Sequence, residues 1–539
     1  MRGNAPPALM PRRLRSSLAV TLALTACRVA RRDAADASRD VTARDALDVV
    51  VTDARSDAPR DVRRDAGRPI VPYTRIMATT IWTPVHTEPD RHSRNMGYLR
   101  AGAVVDVVEG PLNAMTCVVH QRSRNPEGGW YRLRDGGYVC VGGAMASRWP
   151  NRDFMVPRQP LYDAGMPYPM GIVYGMTVLY RRLPTQADLH AYEPWRYAST
   201  PDEQFDNSGA QRQGNVPVVR ANPRTLDELR GPPSSPMIRR LKVGMYLALD
   251  RTMRDDEVGE RYWHTQSGGF VRESRMGEVH HWSPNQGAVL DENTTLPFAF
   301  VIAETAYNYS ISPTGSLGSH HRLPRLTGVP LADAPPIMAG GRWAYYRTRD
   351  GFAVSARQVR RATLQTPPEG TGPNEKWIDV DLDEQILAAY EGPRPVYVAL
   401  ISSGRAGDDP QHDYQTPAGS FRILSKHVTN TMDGETPGGI YSIEDVPWVM
   451  YFQGSYALHG AFWHSHFGWR MSHGCVNLAP LDARWLTYWS DPPLPENWHG
   501  VYATEGRPGS RVIIRHSRAN EHTDEDRPAE ANAEAAAGN

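Results

Sequence analysis

One local pattern returns three times along this chain and limits what it can fold into. It reads "GGWYRLRDGGYVCV" over 128–141, "GERYWHTQSGGFVRES" over 259–274 and "GGRWAYYRTRDGFAVSARQV" over 340–359. Each copy places glycine before an aromatic cluster, then a short polar turn with glycine, then Tyr or Phe ahead of a small or β-branched residue. Apolar residues alternating on both sides of such a turn predict a β-hairpin. A further strand is predicted before the first two copies, at "GAVVDVVEG" (102–110) and "KVGMYLALD" (242–250), and "LTGVPLADA" (326–334) takes that place for the third. Long helical periodicity is scarce, and 46 Gly with 45 Pro supply turns, so a mainly β chain is expected. Its 539 residues exceed what one core usually organises, which predicts several domains. Sixty basic residues cancel sixty acidic ones, and no nucleic-acid partner is expected.

The ends of the chain read differently. Arg12, Arg13 and Arg15 precede the short apolar run "LAVTLAL" and the small-residue exit "LTAC", the order of a targeting signal. That run is too short to span a bilayer as a helix. The quartet Leu24, Thr25, Ala26 and Cys27 resembles a bacterial lipobox, which implies a signal peptide over 1–27, lipidation of Cys27 and a membrane anchor. Residues 28–68 repeat Ala, Asp and Arg without an aromatic, too little apolar area to offset chain entropy, and read as a disordered tether. About 40 flexible residues reach roughly 35 Å. Residues 517–539 read as a tail of the same kind. Arg28 stands where an aspartate would favour inner-membrane retention, so resemblance to Gram-negative lipoprotein sorting implies a periplasmic protein at the outer membrane.

Export permits disulfides. Cys117 and Cys140 lie on either side of the first hairpin and are expected to pair. Cys475 is then left over, and an odd thiol in an exported chain is either reactive or a liability.

The regions 69–146, 147–285 and 290–365 resemble bacterial SH3-like barrels, the small modules of cell-wall proteins. The first copy, "GYLRAGAVVDVVEG" leading into "GGWYRLRDGGYVCV", carries the resemblance best, and the other two hold long insertions. Three unrelated hairpins in one large β-rich region is the alternative. The fold class expected is therefore mainly β, with up to three such barrels ahead of a C-terminal β-rich domain at 374–516. In that domain "WIDVDLDEQILAAYEGPRPVYVALISSG", "TPAGSFRILSKHV" and "VPWVMYFQGSYALHG" alternate as strands. "APLDARWLTYWS" predicts a helix with Leu481, Trp485, Leu486 and Trp489 on one face, and Asp482 near its free N–H groups.

Between those strands and that helix lies "RMSHGCVNL" (470–478). A thiolate attacks carbonyls, and an adjacent imidazole activates a cysteine by taking its proton. His473 stands two residues before Cys475 and His459 sixteen before it. Neighbouring side chains rarely converge head-on, so His459, arriving from another strand, is the expected base. Gly474 lets the backbone turn tightly and aim the N–H groups of Gly474 and Cys475 at one oxyanion. His464 and His466 in "WHSHFG" lack further ligands at telling spacing and read as loop residues rather than a metal site.

"YALHGAFWHSHFGWRMSHGCVNLAPLDARWLTYW" (456–489) resembles the core of the YkuD-type L,D-transpeptidase domain, with "TPAGSFRI" (416–423) in support. That family shows His-Gly, a loop, then Ser/Thr-His-Gly-Cys, an apolar residue and Asn or Arg. Here the positions are His459, Gly460, Ser472, His473, Gly474, Cys475, Val476 and Asn477. The resemblance implies Cys475 as nucleophile, His459 as general base, His473 as an orienting group, and backbone around Gly460 fixing the His459 tautomer. Ser472 and Gly474 complete the catalytic set, and Asn477, Gly460 and Arg470 are expected to contact substrate. The stretch 427–456 would form a lid, with Tyr451 and Trp448 as walls of the substrate site.

Peptidoglycan stem peptides are the implied partner, with no metal or organic cofactor and a monomeric chain. The reaction implied is attack on a tetrapeptide stem, loss of terminal D-Ala, and transfer from a thioester to an amine, forming a 3→3 cross-link or attaching a protein. An L,D-carboxypeptidase using water, or a non-catalytic peptidoglycan-binding lipoprotein, are the alternatives.

Overall fold

The computed structural model describes residues 74–117, 128–142, 145–149, 151, 154–197, 225–407, 413–436 and 439–518. Cys27, its signal segment, the 28–68 tether and all but two residues of the 517–539 tail lie outside the described residues. Among the described residues no helix is long and apolar enough to cross a membrane.

The three repeated stretches fold as antiparallel hairpins, with Trp130 opposite Cys140, Trp263 opposite Val271 and Tyr346 opposite Val354. Each hairpin belongs to a unit of short strands with one pairing plan. In the first unit the strands are Arg75–Ala78, Thr83–His86, Asn95–Leu99, Val104–Leu112, Gly129–Leu133, Tyr138–Val141 and Ala146–Arg148. The first strand pairs with the fourth and seventh, the second with the third and sixth, and the fifth lies between the fourth and sixth. The unit beginning at Met170–Val173 repeats this plan. So does the unit beginning at Phe298–Val301, except that an extra strand, Ile337–Ala339, pairs with Trp343–Arg347, and Gly328–Pro330 is linked to that strand only through the flanking bridge between Leu331 and Thr348.

Period-two alternation closes each unit on its own apolar interior. In the first, Ile76, Val85, Leu99, Val105, Tyr131 and Val139 share one buried cluster. A disulfide joins Cys117 to Cys140 beside Trp130, under the hairpin's edge.

The C-terminal part is a pair of packed sheets. One holds Lys376–Asp381, Ile386–Glu391, Arg394–Ser402, Gly419–Arg422 and Arg511–Arg515. The other runs from Gly500–Tyr502 through the long hairpin Ser425–Thr436 and Gly439–Gln453 to Tyr456–Gly460 and Val476–Leu478. Between them lies a core of Ile378, Leu387, Ile401, Trp448, Leu458, Val476 and Leu486, among others.

The units are not beads on a string. Gly97 and Tyr98 of the first pair with Val501 and Gly500, and Tyr246 of the second pairs with Ile443. Ala288 and Val289, between the second and third units, add to the edge of Arg394–Ser402.

The helix forms at Pro480–Trp489, with proline in its first turn where no N–H is needed. Its expected inner face is corrected in part. Leu486 is buried, but with Asp482, Ala483 and Thr487, while Leu481, Trp485 and Trp489 are half-buried. Asp482 turns inward and accepts from the Tyr397 hydroxyl at 2.8 Å and the Gly287 N–H at 2.6 Å. Burial raises its carboxyl to about 7.

Candidate active site

Parallel pairing of Tyr456–Gly460 with Val476–Leu478 sets His459 beside Asn477. Alternation then sorts the side chains. Leu458, Val476 and Leu478 enter the core between the sheets, whereas Ala457 and Cys475 share the cluster on the opposite face. Cys475 is thereby carried to the side of the sheet that bears His459. Both are 0% exposed. The Sγ of Cys475 lies 3.6 Å from the Ser455 carbonyl, and Cys475 is the free cysteine among the described residues.

The chemistry of His459 follows from its partners. Its Nδ1 lies 3.2 Å from the Gly460 carbonyl, which can only accept, so Nδ1 carries the proton. Nε2 is buried without a partner and keeps its lone pair. Burial lowers the imidazole to about 4, so the ring is neutral at physiological pH. The result is an unprotonated nitrogen on the same face of the sheet as the Cys475 thiol, the protonation state that a general base needs.

The signature loop is braced from within. Ser472 Oγ accepts from the Gly474 N–H at 3.1 Å and donates to the Cys475 carbonyl. Gly474 has φ +123°, and a Cβ there would lie 2.6 Å from a ring carbon of Tyr456. Thr416, in the "TPAGSF" stretch, donates to the Gly474 carbonyl at 2.8 Å and accepts from the Gly404 N–H at 2.9 Å.

Several expected roles change. Gly474 does not lend its N–H to an oxyanion, because Ser472 already takes it. Ser472 is accordingly a brace of the loop. His473 faces away toward Arg405, whose Nη2 lies 3.3 Å from its Nε2, and toward the Tyr414 ring at 4.1 Å. Arg470 binds the Leu382 carbonyl and Asp383, tying the loop to a distant turn instead of reaching for substrate. Trp448 is fully buried in the core and donates its indole N–H to the Gly165 carbonyl at 2.6 Å, so it forms no wall of the site. Tyr451 packs half-buried against the cluster that contains Cys475, and its hydroxyl accepts from Asn430 at 3.0 Å.

Asn477 and His464 form a pair that the sequence did not disclose. The Asn477 amide lies 3.0 Å from His464 Nε2, while His464 Nδ1 accepts from the His466 N–H. Burial holds His464 at about 3, far below its ordinary value. The spacing of "WHSHFG" gave no signal for this contact, since the partner lies across the loop. Among the described residues, no three or more His, Cys, Asp or Glu gather as a metal ligand set.

Residues 375–514 match the family model of YkuD, the L,D-transpeptidase catalytic domain. A putative L,D-transpeptidase, YciB of Bacillus subtilis (strain 168), is 31% identical over 127 residues, covering 20% of this chain and 58% of that protein. Among solved structures, an L,D-transpeptidase from Xylanimonas cellulosilytica is 25% identical, covers 28% of this chain and 64% of its own, and has a TM-score of 0.20. The catalytic domain of the E. faecium L,D-transpeptidase acylated by ertapenem is 23% identical over 26% of this chain and 98% of its own, with a TM-score of 0.20. This chain thus spans just over half of the curated relative's length. Its C-terminal part, residues 375–514, is similar to the YkuD L,D-transpeptidase catalytic domain.

Proposed function

We propose that this chain is a cell-envelope L,D-transpeptidase that acts on peptidoglycan tetrapeptide stems through Cys475. The observation that carries this reading is the neutral His459 with its proton on the Gly460 side and a bare Nε2 on the face of Cys475. In the first half-reaction Nε2 takes the thiol proton, and the thiolate attacks the carbonyl of the third stem residue. The peptide C–N bond breaks, the imidazolium returns its proton to the leaving amine, and D-Ala departs as a thioester forms. In the second half an acceptor amine attacks, His459 takes its proton, and the thiolate leaves. No cofactor enters these steps.

Water as acceptor would make the chain an L,D-carboxypeptidase. A non-catalytic wall-binding role would leave the unpaired base on His459 without a purpose. We read the three N-terminal units as SH3-like modules, which their common strand plan supports. Lipidation at Cys27 and an outer-membrane periplasmic address rest on the lipobox and Arg28. The Cys117–Cys140 disulfide supports an oxidising compartment.

The test is intact mass after incubation with a carbapenem. A stable adduct on the wild type that is absent from Cys475→Ala supports the enzyme. An unmodified but folded wild type would sink it. Adding a tetrapeptide stem with and without an amine then separates transferase from hydrolase by product mass.

A further inference from the structure

The hairpin of Ser425–Thr436 and Gly439–Gln453 has two halves with different loyalties. Its inner half, where Ser425 pairs with Tyr451 and His427 with Val449, belongs to the catalytic sheet. The register then slips between Asn430 and Met432, and Asp445 and Trp448 adopt φ of +52° and +57°. Neither is glycine. Such conformations persist only where the surroundings over-determine them. Past this bend the outer half, from Met432 opposite Ile443 to Thr436 opposite Gly439, has among the described residues no further strand of the C-terminal domain beside it, and Ile443 pairs instead with Tyr246 of the second unit.

What determines the bend comes from the first two β units. Arg100 of the first unit grips both carboxylate oxygens of Asp445, with Nη2 at 3.0 Å from Oδ2. The same guanidinium donates to Thr429 at 3.1 Å and to the Gln266 carbonyl of the second unit at 3.2 Å. This joint is buried, with Arg100 9% and Asp445 5% exposed. Beyond the bend, Arg239 of the second unit binds Glu444 at 2.7 Å and Ser442 at 2.9 Å. Ser267 adds a donor to Glu444, and Glu435 accepts from the Leu226 N–H at 2.7 Å. Met432, Tyr441 and Ile443 of the outer half share one buried cluster with Cys475 and with Tyr168, Met170 and Tyr246 ahead of and within the second unit.

We propose that the first two β units are a clamp that fixes the outer hairpin beside Cys475, with Arg100 and Arg239 as its positioning residues. Access to the thiol is then governed by side chains 345 and 205 positions from their partners in the hairpin. These units act on the catalytic domain of their own chain, whatever else they bind. A loosened clamp exposes Cys475, and, on the reading of Cys475 as an acyl carrier, it also lets water reach the thioester.

The experiment compares the full chain with Arg239→Gln, Arg239→Lys and Arg100→Gln. Its first readout, independent of any enzymatic reading, is the rate of iodoacetamide labelling at Cys475, resolved by peptide mass. Labelling is expected to rise about tenfold in both Gln variants, in line with ordinary coupling between sites. Hydrogen exchange should rise with it, confined to 430–446, and Arg239→Lys should recover part of the protection. Unchanged labelling in a folded Arg239→Gln would overturn the clamp. So would exchange that rises evenly across the chain, since that marks a merely structural residue. Arg239→Gln decides the matter should Arg100→Gln fail to fold. The second readout is the lifetime of the carbapenem adduct, expected to shorten in the Gln variants. Failure of the wild type to form an adduct would remove the proposed enzyme but leave the labelling result standing.

Discussion

The two segments that meet at Cys475 are held in opposite ways. In the loop 470–478 the decisive bonds stay within the C-terminal domain, from Ser472 to Gly474 and Cys475, from Thr416 to Gly474, and from Arg470 to Leu382 and Asp383. In the hairpin 425–453 they run to Arg239, Gly165 and Arg100, which lie 205, 283 and 345 positions away. One segment is held by its own domain, and the other borrows its geometry from the N-terminal units. A locally braced loop can keep its nucleophile aimed in any homologous domain. A borrowed hairpin can be retuned by changing what packs against it, without touching the loop.

The largest effects should come from the loop side. Cys475→Ala is expected to abolish adduct formation, and an adduct surviving on that variant would place the nucleophile elsewhere. His459→Gln should lower kcat/KM by about 10²–10⁴-fold, the usual contribution of a general base. Steady-state kinetics should show the loss in kcat, since His459 meets the reacting proton and not the bulk of the substrate.

Next comes the hairpin's joint. Arg100→Leu leaves Asp445 buried and uncompensated, at a cost of about 3–5 kcal/mol in urea unfolding. Adding Asp445→Leu should recover much of that. Strict additivity of the two would show that the pair is not coupled. Gly474→Ala, on the loop, should cost about 1–3 kcal/mol through its positive φ. Thermal unfolding would read it, and a neutral outcome would mean that the loop tolerates another backbone.

The smallest effect is one of pH, and the two segments enter it with opposite sign. His459 is lowered to about 4 by burial, so its contribution is full above 6.5 and lost as pH falls through about 4. Glu444 is raised to about 7 by burial despite Arg239, so its contribution is full below its ordinary 4.5 and lost as pH rises through about 7. The slopes oppose each other between 4.5 and 6.5. Glu444→Gln should therefore make stability climb more steeply with pH in that window than in the wild type, as Tm measured across it would reveal.

The sequence disclosed what repeats over short distances. The three Gly–aromatic hairpins alternate within a dozen residues, so period two alone exposes them. The motif around Cys475 and His459 was legible because two adjacent strands bring its members together. Its finer assignments were not. Ser472 and Gly474 bond each other instead of a substrate oxygen, and Arg470 is spent on Leu382 and Asp383. Trp448 looked like a lid aromatic from its neighbours, yet its indole N–H needs an acceptor that only the Gly165 carbonyl supplies. Asp482 fits a helix start by position, but Tyr397 and Gly287 offer it partners inside.

By itself, then, the sequence determined the β character, the repeated hairpins, and which thiol and which distant imidazole share a face. Those depend on side-chain period and on chemistry carried within short stretches. Only the tertiary structure decided that His459 is neutral with its Nε2 bare, and that the hairpin beside the thiol hangs on Arg100 and Arg239. A pKa is set by how much water the fold removes, and a buried charge is satisfied by whatever partner the fold delivers, and neither is written in neighbouring residues.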